Sequence, residues 1–171
     1  HVKKGATLTI PAGTTISANY EEDIPYLLIE QGAKIDAQGT AENPIIMTSD
    51  EKKEGAWGGL HICGYAHTNN SGNTVSEIGN APYGGNNDED NSGILRYVRL
   101  EYTGKALDEE HEANGVSFYG VGNGTTVEYL QAYKGSDDGF EFFGGSVNVK
   151  HMVVTSCSDD SFDWTEGWNG K

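Results

Sequence analysis

Short apolar runs separated by clusters of Gly, Asn and Asp fill most of the 171-residue chain, with no sustained helical periodicity. The runs are rich in Val, Ile, Leu, Thr and Tyr, the composition of short β-strands bounded by turns. They also recur. "VEYLQAYKGSDDGFEF", from Val127, overlays "VKHMVVTSCSDDSFDW", from Val149, without a gap. A third copy starts at Leu95 ("LRYVRLEYTG") and resumes in "ANGVSFYG" (113–120), after the insertion "KALDEEHE" (105–112). Near the N-terminus, "LTIPAGTTI" (8–16) matches "LIEQGAKI" (28–35). The 19-residue offset pairs Leu8 with Leu27, Ile10 with Ile29, Gly13 with Gly32 and Ile16 with Ile35. A fixed period of this size marks one structural unit stacked on copies of itself.

The overlay assigns faces. One apolar set is Leu95, Val98 and Leu100, then Val127, Leu130 and Ala132, then Val149, Met152 and Val154. The other is Val116 and Phe118, Phe140 and Phe142, Phe162 and Trp164, with the polar residues Ser117, Glu141 and Asp163 between them. Such alternation sends one residue inward and its neighbour outward. Equivalent positions of successive units then stack at roughly the 4.8 Å strand spacing. The pattern predicts an all-β parallel β-helix of about six coils, forming a single domain over residues 1–171. A β-sandwich would not keep identical residues at a constant offset. Residues 66–92, rich in Asn, Gly, Asp and Ser, read as one long projecting loop.

Composition narrows the partners. Net charge is −15, with 26 acids against 11 bases and only two arginines, Arg96 and Arg99. Such a surface repels phosphate, so neither nucleic acid nor an anionic membrane surface is an expected partner, while divalent cations are attracted. No apolar stretch approaches the length of a membrane span. Two cysteines, Cys63 and Cys157, are too few for a disulfide framework and read as buried free thiols. The chain opens in mid-pattern at His1 ("HVKKGATLTI"), as expected of a mature or trimmed product.

The ordered series "VKKGATLTIPAGTTI", "LIEQGAKIDAQGTAENPIIMTS", "WGGLHICGYA", "SGILRYVRLEYTG", "NGVSFYGVGNGTTVEYLQAYKGSDDGFEFFGGSVNVKHMVV" and "SDDSFDW" covers nearly the whole chain. It resembles a family of secreted bacterial β-helix proteins common in Bacteroidota. The resemblance implies a right-handed, pectin-lyase-like solenoid and an extracellular or cell-surface location. It implies no particular activity.

Candidate chemistry concentrates in the two Ser-Asp-Asp turns. Stacking places Asn114, Asp138 and Asp160 in one column, Asp137 over Asp159, and Glu141 over Asp163. Like charges about 5 Å apart need solvation or a shared cation. Calcium, with six to eight oxygen ligands, is the tentative cofactor, held by Asp137, Asp138, Asp159, Asp160, Glu141 and Asp163. The plainer reading is that these aspartates cap turn amides. A catalytic reading uses Asp138, Asp159 and Asp160, whose spacing resembles that of polygalacturonase-like hydrolases; the Gly-His-Gly and Arg-x-Lys motifs of those enzymes are absent. Outward aromatics, Tyr97, Tyr129 and His151 with Tyr133 nearby, are candidates for stacking on sugar rings or for plain sheet cover. Acidic runs at 86–91 and 107–112 read as solvated charge, with Asp88, Glu89 and Asp90, or Asp108, Glu109 and His111, as alternative cation ligands.

The leading expectation is an extracellular, non-catalytic structural or adhesion module of the cell surface or matrix, stabilised by calcium. The alternatives are a carbohydrate-active hydrolase or glycan-binding remnant, and a subunit of an extracellular filament in which copies of the chain stack end to end. Enzymatic activity ranks below the non-catalytic reading.

Overall fold

The computed structural model describes residues 1–19, 24–72, 74–106 and 112–171. Among these residues there is no helix, and the strands form two parallel sheets. The first contains β1 (Thr7–Ile10), β2 (Thr15–Ala18), β4 (Lys34–Gln38), β5 (Ile45–Ser49), β7 (Gly93–Glu101), β9 (Thr126–Tyr133), β11 (Val149–Lys150) and β12 (Val153–Thr155). The second contains β3 (Leu27–Ile29), β6 (Leu60–Cys63), β8 (Val116–Tyr119), β10 (Phe140–Phe143) and β13 (Phe162–Thr165).

Register follows the sequence overlay wherever the repeat is tight. Leu95 pairs with Val127, Val98 with Leu130 and Leu100 with Ala132; Val149 pairs with Val127. In the second sheet Val116, Phe140 and Phe162 align, as do Ser117, Glu141 and Asp163. The inward residues of both sheets share one core, which includes Ile35, Leu95, Val127, Ile62, Phe118 and Phe142. Like sits on like: the Phe118 and Phe142 rings stack with centroids 5.1 Å apart and planes within 9°. Full burial of each such side chain stabilises by roughly 1.5–3 kcal/mol.

The 19-residue register near the N-terminus is overturned. Leu8 pairs with Ile35 and Ile10 with Ala37, while Val2 bridges to Ile29 and Gly5 N–H donates to Gly32 O at 2.8 Å. "LTIPAGTTI" and "LIEQGAKI" resemble one another for a different reason. Each is a strand, a glycine turn and a strand, with Gly13 (φ 76°) between β1 and β2 and Gly32 (φ 76°) between β3 and β4. The match compares two successive corners of the chain path, and the true mate of Gly32 is Gly5.

Alternation in the first sheet breaks at one repeated point. Arg96 and Tyr97, and likewise Glu128 and Tyr129, are consecutive outward residues, and the ladder between β7 and β9 skips Tyr97 and Tyr129. Tyr97, Tyr129 and His151 all take left-handed backbone, with φ of 48°, 57° and 57°. For a bulky residue that conformation costs roughly 1–2 kcal/mol, and because each strand gives one residue to it the strands turn together in a stacked left-handed corner.

Over β3, β6, β8 and β10 the second sheet is covered on both faces. Its outer face carries Leu28, Cys63, Tyr119 and Phe143, packed against Ala81 and Tyr83 from the connection between β6 and β7. Glu166 fastens that connection, accepting hydrogen bonds from Thr68 Oγ1 (2.7 Å), Asn70 Nδ2 (2.8 Å) and Tyr83 OH (2.9 Å). Cys63 is buried and Cys157 half-buried, and both are free thiols.

Candidate functional site

The turns that lead into β8, β10 and β13 stack through the main chain. Gly115 N–H donates to Asp138 O and Gly139 N–H to Asp160 O, both at 2.9 Å. This ladder sets Asn114, Asp138 and Asp160 in one column. Three residues on, the strand register sets Ser117, Glu141 and Asp163 in another.

Side chains then converge on Asp138. Asp137, Asp138 and Asp159 each offer a carboxylate oxygen, all within 4.8 Å of one another. Asp138, Glu141 and Asp163 form a second group of the same size. Two like charges about 5 Å apart repel by roughly 3 kcal/mol at an effective dielectric near 20. The carboxyl groups respond by holding protons. Burial, and after it the charges of Asp138, Glu112 and Asp159, push Asp137 up to about 7. Burial lifts Asp138 to about 6, opposed by the Asp160 N–H that donates to its Oδ1 at 2.8 Å. Glu141 rises to about 9, through burial first and the Glu77 carboxylate second.

Asn114 completes the arrangement. It is fully buried, and its Nδ2 donates to Glu141 Oε2 at 2.5 Å and to Ser117 Oγ at 3.1 Å. Its Oδ1 is buried without a hydrogen-bond partner. A buried carbonyl oxygen left unpaired costs about 1–3 kcal/mol. The donor set is all oxygen, the preference of calcium and magnesium. Two metal–oxygen bonds of about 2.4 Å span at most about 4.8 Å across a calcium ion, and the oxygens of each triad lie within that distance of one another.

The other sequence candidates fall elsewhere. Asp160 lies outside both triads and meets Asp138 through its backbone N–H. Tyr97, Tyr129 and His151 form a continuous stack, with centroids 4.4 and 4.3 Å apart and planes within 6° and 15°. Within the stack the ring faces are turned on one another. The face of Tyr133 is taken by Arg99, whose guanidinium carbon sits 4.3 Å from the ring centroid. The run at 86–91 is divided: Asp88 pairs with His67 at 2.7 Å, while buried Asp90 accepts from Ser92 Oγ at 3.0 Å. Asp108, Glu109 and His111 lie outside the described residues.

Glu77 was missed at the sequence level. It stands in the irregular connection between β6 and β7, accepts a hydrogen bond from Tyr119 OH at 3.3 Å and acts electrostatically on Glu141. No repeat partner marks it. A groove of about 450 Å³ opens on the first sheet, lined by Arg96, Glu128, Asn148 and Lys150 among others. Three of its charges are paired, Glu128 bridging Arg96 at 2.5 Å and Lys150 at 3.0 Å.

The family described as pectate-lyase like beta helix domain matches residues 1–171. Searches among curated proteins and among solved structures return no match.

Proposed function

The chain belongs to the pectate-lyase-like β-helix domain family, and from that premise we propose an extracellular, carbohydrate-related β-helix module whose acidic turns take a calcium-sized cation. The two sheets act as walls of one right-handed solenoid, and the stacked turns form its binding edge. The observation that carries this reading is the pair of carboxylate triads meeting at Asp138, beside the orphaned Asn114 Oδ1. Repulsion within the triads is relieved either by protons or by a cation, and a cation in this place presents a positive charge to an acidic glycan. Affinity electrophoresis through gels containing polygalacturonate or alginate tests it. Retardation in millimolar calcium that disappears in chelator is the expected result. Equal mobility under both conditions, and equal to that in a gel without glycan, would sink the proposal.

A second reading rests on Glu141. A carboxyl group that keeps its proton to about pH 9 beside the Asp138 and Asp163 carboxylates has the makings of a general acid with a neighbouring base. Groups this close correspond to retaining rather than inverting hydrolysis. Reducing ends released from an acidic polysaccharide, and lost in Glu141→Gln, would favour it over the binding module.

A further inference from the structure

We infer that His67 is a pH-sensitive clasp, whose imidazolium pins the connection between β6 and β7 to the turn after β13. On losing its proton the ring can satisfy one of these two attachments and not the other.

The partners of the ring dictate its charge. Nδ1 lies 2.7 Å from Asp88 Oδ1, and Nε2 lies 3.0 Å from Gly167 O. A carboxylate and a backbone carbonyl accept and do not donate, so both ring nitrogens must carry a proton. Neutral imidazole has one N–H, and its other nitrogen would set a lone pair against an oxygen. The Asp88 carboxylate is itself fixed, accepting from the His67 backbone N–H at 3.1 Å. These two bonds hold the Asp88 carboxyl below its ordinary range, while the Gly167 carbonyl first and Asp88 second raise His67 above 6.5.

Asp88 from the same connection and Glu166 from the turn after β13 are the charged groups beside the ring. The turn after β10, residues 144–148, carries no charge and meets His67 through Gly145 N–H, which donates to His67 O at 2.7 Å.

The clasp sits within a wider attachment. Asn69 N–H donates to Glu166 O at 3.0 Å, and the Glu166 carboxylate gathers Thr68, Asn70 and Tyr83. Tyr83 in turn packs on Tyr119 of β8, with ring centroids 5.1 Å apart. Imidazole is the side chain whose charge ordinarily changes near neutrality, so the hold of this cover on the second sheet follows pH. It is full below about pH 6.5 and weakens as pH rises through the raised value of the folded chain.

The test is amide hydrogen exchange of the full chain by NMR between pH 6 and 9, scaled to the unfolded rate at each pH. Asn69 and Gly145 N–H should lose protection about three- to tenfold across the interval, the loss of one charge-assisted bond at a partly exposed site. Gly39 N–H, which donates to Arg96 O in the first sheet, is the internal reference and should stay level. The loss should persist in Glu141→Gln and vanish in His67→Gln, which is weakly protected at every pH. Ring-nitrogen shifts should place the His67 titration above pH 6.5, and Asp88→Asn should lower it. If His67→Gln does not fold, the titration and exchange of the natural protein decide the matter. A His67 titration at or below pH 6.5, protection of Asn69 and Gly145 that is level with pH, or an equal loss in folded His67→Gln overturns the clasp.

Discussion

Two columns of stacked side chains run along this molecule, and the same geometry does opposite things in them. Tyr97, Tyr129 and His151 repeat at the left-handed corner of the first sheet, and their rings stack face to face at 4.3–4.4 Å. Asp137 and Asp138 repeat over Asp159 and Asp160 in the turns before the second sheet, and the result there is charge on charge. Stacked rings attract, contributing about 0.5–1.5 kcal/mol per pair, enough to offset much of the left-handed backbone cost at each tyrosine. Stacked carboxylates repel and need something from outside the chain. In a parallel solenoid a repeated residue therefore amplifies its own chemistry. An uncharged column is self-sufficient, and a charged one is a site in waiting.

The sharpest way to separate the columns is to supply the proposed cation. Saturating calcium, at about a hundred times its dissociation constant, should stabilise the folded chain by about 3 kcal/mol per site and raise its melting temperature by roughly 5–10 °C. Asp138→Asn should abolish that rise, and Tyr129→Ala should leave it intact. A melting curve indifferent to calcium and chelator would remove the distinction between the columns.

A smaller effect is expected from pH in chelator. Glu141 keeps its proton to about pH 9 in the folded chain against 4.5 ordinarily, so the folded state binds more protons across that interval. Its contribution to stability is full below about pH 4.5 and is lost as pH rises toward 9, the reverse of a salt-bridged carboxylate. Buried His61, depressed to about 4, works in the opposite sense only below its ordinary 6.5. Between pH 7 and 9 the melting temperature should fall, and Glu141→Gln should flatten the slope, its side-chain carbonyl still accepting from Asn114. A slope equal in both proteins would assign it to other groups.

The smallest effect belongs to the ladder. Tyr129→Ala loses two ring contacts but keeps the left-handed backbone, and should cost about 1–2 kcal/mol by denaturant titration, unchanged by calcium or pH. Tyr129→Gly should recover part of that loss, because glycine takes φ near 57° without strain. Glycine proving worse than alanine would show the corner unstrained.

How much of this was legible depended on whether a residue had a repeat partner. The columns Phe140/Phe162, Glu141/Asp163 and Tyr97/Tyr129/His151 were visible because a gapless 22-residue overlay aligns them or a tight copy extends it. The N-terminal register failed because "LTIPAGTTI" and "LIEQGAKI" share turn chemistry rather than position, and a glycine turn at every corner looks the same from the sequence. Glu77, Tyr83 and Ile78 were invisible for the converse reason. They occur once, in a segment rich in Asn and Gly, and Tyr83 owes its burial to the sheet face it covers. The orphaned Asn114 Oδ1 lies between these cases: the column placed the residue, but only side-chain geometry shows which atom is left over.

The central claim, that the protonated acids of the turns are the ligands of the cation, is tested most directly by counting protons. Calcium added to the metal-free chain at pH 7 in a pH-stat must displace the proton on Glu141 and part of that on Asp137, which titrate near 9 and 7. The account predicts release of about one to two protons per chain at saturation, falling when Glu141 is replaced by Gln. Calcium binding with no proton released would place the ion elsewhere on the acidic surface and contradict the account.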